Sequence, residues 1–219
     1  MIAETMHPDI PAIAPPGTMP TAAPSIERRQ SWPQDPMAAR SLLGLADLPT
    51  IVAIGPFDDL VHAHHLAAAF TAVQRSCRAQ LVLLGIGARR HAVRRAVPHS
   101  AETRVYTFDP SSEQLWSEVV AAADLVVLST ASGSRTLLDV LAAGRAVVVP
   151  DAPTTVRLVV PSSAGLVYRP GDVSGMAAAI SRLLTKPSLC DGMAARAREV
   201  ARRYQQSCAR RCDEGHGYV

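Results

Sequence analysis

"ADLVVLSTASGSRTLLDVLAAGRAVVVP", residues 123–150, decides the fold. An apolar run at 125–129 stops at a loop of small hydroxyl residues. A helical pattern follows from about Ser134 to Ala143, Gly144 ends it, and a second apolar run fills 146–149. Both runs are apolar at nearly every position, so each reads as a strand covered on both faces. Two such strands joined through a helix run parallel, because a parallel pair needs a crossover. The loop at 129–135 then lies at the carboxyl end of a strand, the edge where parallel sheets bind ligands.

The same alternation extends in both directions. Upstream, "TIVAIG" (50–55), "QLVLLG" (80–85) and "TRVYTF" (103–108) read as strands. They alternate with helices over 60–74, 88–97 and 112–123, the last capped by Ser111 or Ser112. Downstream, "GLVY" (165–168) is a sixth strand. Asp172 then caps a helix through Leu184, and a final helix runs from about Leu189 to Gln206. The pattern predicts a single α/β domain, a Rossmann-like doubly wound parallel sheet of about six strands. Residues 1–40 hold eight of the seventeen prolines with no apolar periodicity, which predicts a disordered or extended lead-in. The domain is expected over 41–206, and a flexible tail over 207–219.

Composition narrows the function classes. With 219 residues, 48% hydrophobic and 19% charged, the chain is long enough for a full core. The net charge of +3 is small and its arginines are spread with few aromatics among them, which argues against a nucleic-acid partner. No apolar run reaches membrane-spanning length, and the N-terminus lacks a signal-peptide layout, so a cytoplasmic location is expected. The cysteines at 77, 190, 208 and 212 are expected as free thiols. Cys208, Cys212 and His216 share i, i+4, i+8 spacing, but a fourth metal ligand is missing. No metal is expected.

Three strand-to-helix loops fall on the ligand edge, at 55–59, 85–88 and 129–135. In the last, Ser132, Gly133 and Ser134 lead into a helix N-terminus, whose amides and dipole favour an anion. Gly133 lets a ligand approach the backbone, and Arg135 offers a bidentate phosphate contact. The plainer alternative is that Ser132 or Ser134 only caps the helix. "GIGARR" (85–90) lacks the third glycine of a dinucleotide fingerprint and reads as a tight turn. "DDLVHAHH" (58–65) groups two aspartates with three histidines. A metal is one reading; the simpler one has Asp58 capping the helix and His62 and His65 facing solvent.

From about Ser41 to Tyr204 the order of motifs resembles the C-terminal, nucleotide-sugar-binding domain of retaining glycosyltransferases of the two-domain GT-B fold, family 4 type. "SLLGLADLPTIVAIG", "LVLLGIG", "VYTFDPSSEQLW", the opening stretch and "SAGLVYRPGDVSGMAAAISRLL" carry the likeness, over about three quarters of the chain. The resemblance implies half of a GT-B fold. Its ligand would be a nucleotide-diphosphate sugar, with no other cofactor, held by Gly55, Ser132, Gly133, Ser134, Arg135 and Asp139.

Departures from the family pattern are specific. Where the family has a glutamate at each end of an E-x7-E signature, this chain has Ala131 and Asp139. Where it has an arginine and a lysine facing the diphosphate, this chain has Pro56 and Val61, with Asp58 and Asp59 beside them. Phe108 replaces a glycine near the base, and Arg157 stands near a family glutamate. Each lost charge-assisted hydrogen bond is worth ~1.5–3 kcal/mol. No catalytic residue is therefore assigned. The family's acceptor domain has no counterpart upstream; "HPDIPAIAPP" resembles its linker. Three readings stay open: a nucleotide-sugar-binding half with little activity alone, the donor subunit of a two-chain transferase, or an interaction module without a small ligand. An acceptor-binding partner subunit or a homodimer is the expected partner.

Overall fold

The computed structural model describes residues 35–98, 103–110, 112–130 and 132–214, with side chains through residue 207. Six strands, β1 (Thr50–Ile54), β2 (Gln80–Leu84), β3 (Arg104–Phe108), β4 (Leu125–Leu128), β5 (Ala146–Pro150) and β6 (Gly165–Tyr168), form one sheet in the order β3-β2-β1-β4-β5-β6. Every pairing is parallel. The expected doubly wound α/β architecture is present, and its switch point lies between β1 and β4.

Eight helices flank the sheet among the described residues: α1 (Pro36–Leu42), α2 (Leu60–Val73), α3 (Arg90–Ala96), α4 (Glu113–Ala121), α5 (Ser134–Ala142), α6 (Pro153–Ser162), α7 (Val173–Thr185) and α8 (Pro187–Glu214). On one face α2, α3 and α7 bury Leu66, Phe70, Val93, Met176 and Ile180 against Ile51, Leu81, Leu83, Val127 and Val148. The alternate strand residues, Val52, Val82, Val126 and Val147, point the other way and are equally buried. α4, α5 and α8 cover them. This double covering is why all five positions of β1 and β2 are apolar or fully sheltered.

Structure begins earlier than the sequence suggests. Pro36 opens α1, and Asp35 caps it by accepting from the Met37 amide at 2.9 Å. The ordered region therefore takes in residues 36–40, which composition assigns to the lead-in. Arg40 anchors the helix, donating from Nε to Ala122 O (3.0 Å) and from a terminal nitrogen to Asp124 Oδ2 (2.6 Å). α6 was not expected at all; Pro153 starts it and left-handed Ser163 (φ 52°) ends it. α8 continues past the expected end at Gln206 to Glu214. Its buried stripe is Met193, Ala197 and Ala201.

Of the expected caps, Ser112 accepts from the Leu115 amide (3.1 Å) and Asp172 from the Gly175 amide (2.8 Å). Gly144 takes up φ +65° just past the end of α5, the left-handed conformation that favours glycine there. Ser111, the lead-in through residue 34, and the Cys208, Cys212 and His216 side chains lie outside the described residues. Cys77 and Cys190 are free thiols. No helix among the described residues is long and apolar enough to cross a membrane.

Candidate functional site

The carboxyl edge is built from loops tied to one another through the backbone. Gly55 donates its amide to Leu84 O (3.0 Å) and Gly85 donates to Phe108 O (3.2 Å), extending the ladder beyond the strands. Phe57 then bridges the first two loops: its amide donates to Ile86 O and its carbonyl accepts from Arg89 N, both at 2.9 Å. The Phe57 ring is buried over the glycines of these loops. A Cβ on Gly55 would lie 2.7 Å from ring atom Cε2, and one on Gly87 (φ +128°) 2.6 Å from the Phe57 carbonyl. Those glycines are required by the packing of Phe57. Nothing in the sequence reading singled it out.

Arg90, beside them, is engaged in the scaffold. It donates to Gly85 O (3.3 Å) and forms a two-pronged pair with Asp109, which joins the ends of β2 and β3. The first loop supplies no cation between residues 55 and 61. Asp59, rather than Asp58, caps α2 by accepting from the Val61 amide (2.8 Å), while Leu60 and Val61 are exposed. No group of three or more His, Cys, Asp or Glu side chains is placed for a metal among the described residues.

His62 is buried, contrary to the expectation that it faces solvent. Burial pushes its pKa below the ordinary 6.5; Asp59 opposes this and His65 adds to it. The unfolded chain then binds a proton near pH 6.5 that the folded one refuses. This part of the stability is fully present above that pH and is lost as pH falls through it toward the lower folded value. Urea midpoints measured from pH 8 to 5 should therefore fall more steeply for the wild type than for His62→Met. Parallel slopes would show that His62 does not contribute.

The loop after β4 has a different character. Ser129 donates its amide to Ile54 O (3.2 Å), and the Ser132 hydroxyl donates to the same carbonyl (3.2 Å) while lying 3.0 Å from Ser129 Oγ. This small network ties the loop to the end of β1 across the switch point. It also occupies the Ser132 side chain, and the Ser132 amide is engaged as well, donating to Ser129 O (3.1 Å). The N-cap of α5 is Gly133, at φ −75° and ψ 164°, with no capping bond from a side chain. Neither Ser132 nor Ser134 caps the helix, so the plainer alternative does not hold.

Gly133 has a backbone conformation open to any residue, and a Cβ there would meet nothing within 4 Å among the described residues. The fold does not itself require glycine at this position, where Ser or Asp would stabilise the helix by roughly a few tenths of a kcal/mol. The amides of Ser134, Arg135 and Thr136 lack intrahelical acceptors, since the first helical bond runs from Leu137 N to Gly133 O (3.3 Å). Arg135 is exposed at this end. Asp139 is half-buried one turn later, on the same face by i, i+4 spacing. The structure thus brings Gly55, Ser132, Gly133, Ser134, Arg135 and Asp139 to one edge; Ala131 lies outside the described residues. Phe108 is half-buried at the end of β3, and Arg157 is exposed on α6.

None of the curated proteins matches the chain. Solved structures do. Sucrose-phosphate synthase from Thermosynechococcus elongatus is 22% identical with a TM-score of 0.63, over 83% of this chain and 49% of that one. HepE of Anabaena, in complex with UDP and glucose, is 18% identical with a TM-score of 0.64, over 78% and 48%. WaaG, a glycosyltransferase involved in lipopolysaccharide biosynthesis, is 19% identical with a TM-score of 0.64, over 77% and 47%. The chain spans about half the length of these structures, and its sheet is that of one half of a GT-B fold. The family described as "Glycosyl transferases group 1" matches residues 48–186, well over half of the sequence. On that match over this sheet, the chain belongs to the group 1 glycosyl transferases.

Proposed function

We propose that this domain binds the nucleotide diphosphate of a nucleotide sugar at 129–135, and transfers little or no sugar by itself. The observation that carries the reading is the N-terminus of α5: a glycine N-cap the fold does not need, no side-chain cap, and amides facing the switch-point edge. Phosphates would lie against the amides of Gly133 and Ser134 rather than that of Ser132, which already donates to Ser129 O (3.1 Å); Arg135 would be the main countercharge, and Asp139 would take the ribose hydroxyls. The family membership and the half GT-B sheet support it.

The reading of weak activity rests on what the edge lacks. Pro56 and Val61 bring no positive charge, Arg90 is spent on Asp109, and Ala131 has no group for the donor sugar. A diphosphate leaving group needs charge stabilisation in the transition state, and Arg135 alone supplies it here. We read the site as a degenerate, family 4 type, retaining site, and the chain as a pseudoenzyme when alone and cytoplasmic.

Calorimetry with UDP and GDP should give dissociation constants on the order of 0.1–1 mM, since most charge-assisted contacts are missing. Arg135→Ala should weaken binding about tenfold or more, the loss of one charge-assisted contact. Equal binding by both proteins would move the site elsewhere. Incubation with UDP-, GDP- or ADP-sugars should release no nucleotide above a blank; release by a preparation free of other transferases would overturn the weak-activity reading.

A second reading is a donor subunit that meets an acceptor-binding partner or another copy of itself across this edge. The exposed Leu60, Val61 and Ile86 on the edge favour it. A stable contact would bury about 1,200–2,000 Å². Adding a separately purified acceptor domain should then raise nucleotide release above the blank.

A further inference from the structure

The amino edge of the sheet, opposite the candidate nucleotide loop, gathers three arginines around one carboxylate. Asp124, just before β4, is already engaged: its Oδ2 accepts from Arg40 and from the Thr50 amide, both at 2.6 Å. Arg145, just before β5, has no such partner. Its Nε is sealed from water, and its guanidinium makes no hydrogen bond or ion pair among the described residues. Arg198, from α8, lies across the neighbouring Gly144. A Cβ at that left-handed glycine would sit 2.6 Å from the Arg198 Cζ, which sets the Arg198 guanidinium against the residue that precedes Arg145.

Burial, then repulsion from Arg198, holds the Arg145 guanidinium below the ordinary arginine range; Asp124 opposes this and Arg40 adds to it. The adjacent Cys190 thiol donates to Asp124 O (3.4 Å) and is pushed up to about 11, so it brings no negative charge near neutral pH. Asp191 and Asp47 are exposed on the rim, and Asp47 lies 3.9 Å from Arg40. A half-buried guanidinium with a sealed and unbonded Nε, next to a second cation, is an arrangement that folds avoid unless something answers the charge.

We propose that the amino edge between Arg145 and Arg198 binds an oxyanion, a phosphate or carboxylate group, in a site separate from the nucleotide loop. Guanidinium groups pair with either anion through parallel N–H donors. The two sources are separated by thermal unfolding of the full chain in sodium phosphate or sodium acetate, against sodium chloride at equal ionic strength. An anion at ten times its dissociation constant should raise the wild-type Tm by about 3–6 °C. A shift in phosphate alone assigns a phosphate-bearing ligand, and one in acetate alone assigns a carboxylate. Arg145→Met and Arg198→Ala should abolish the shift, whereas Arg135→Ala, at the other edge, should keep it. In chloride, Arg145→Met should melt at or above the wild-type temperature, because it removes an unanswered cation. No shift in either anion, a shift kept by both edge variants, or one lost only in Arg135→Ala overturns the proposal. So does a fall of more than about 5 °C for Arg145→Met in chloride, which would make the guanidinium a structural group.

Discussion

Replacing Phe57 with alanine should destabilise the domain by about 3–5 kcal/mol, the range for removing a fully buried aromatic ring. The ring is 1% exposed and packs over the glycines that end β1 and β2. Truncation leaves a void that those loops cannot close without breaking the Phe57–Ile86 and Arg89–Phe57 backbone bonds. Urea unfolding checks it: the midpoint should fall while the slope stays constant. Phe57→Leu, which keeps most of the volume, should cost less than about 1.5 kcal/mol. A loss below about 1 kcal/mol for the alanine variant would mean the loops hold their shape without the ring. The stake is functional as well, because the same residue fixes the Gly55 side of the proposed nucleotide site.

Asp124→Ala should cost about 3 kcal/mol, the low end for breaking one side of a buried charge pair. Arg40 is almost fully buried and the Thr50 amide wholly so, and both donate to the one Asp124 oxygen. The partial exposure of Asp124 and the remaining Arg40–Ala122 bond keep the loss from the upper end. A double-mutant cycle with Arg40→Met separates pairing from packing. The double variant should be less destabilised than the two single losses added together. Strict additivity would show that the carboxylate acts through Thr50 alone.

The sheet was legible because its chemistry is local. Strands covered on both faces are uniformly apolar, and runs such as 50–54 and 80–84 admit no solvent-facing alternation. α1 was not legible, since what holds it is a bond from Arg40 to a carboxylate 84 residues away. α6 was masked by its two prolines: Pro153 opens it and Pro161 lies within it, although Thr155, Leu158 and Val159 keep the buried helical spacing. The cap of α2 shifted by one residue from Asp58 to Asp59, and His62 turned inward with it. At the site, the loop frame and Arg135 could be read from residue types. The use of the Ser132 hydroxyl on Ile54 O could not, because that bond joins loops 78 residues apart.

The strand order also sets a timetable for synthesis. β1 is the middle of the sheet, paired with β2 on one side and β4 on the other. When the ribosome has made β1, β2 and β3, one edge of β1 still waits for Leu125–Leu128, roughly 70 residues downstream. At typical elongation rates of about 5–20 residues per second, that apolar edge stays open for several seconds. An unpaired flat strand is a template for misassembly. Nascent chains of this protein therefore pass through an interval in which a chaperone has a defined target, Thr50–Ile54, and arrival of β4 ends it.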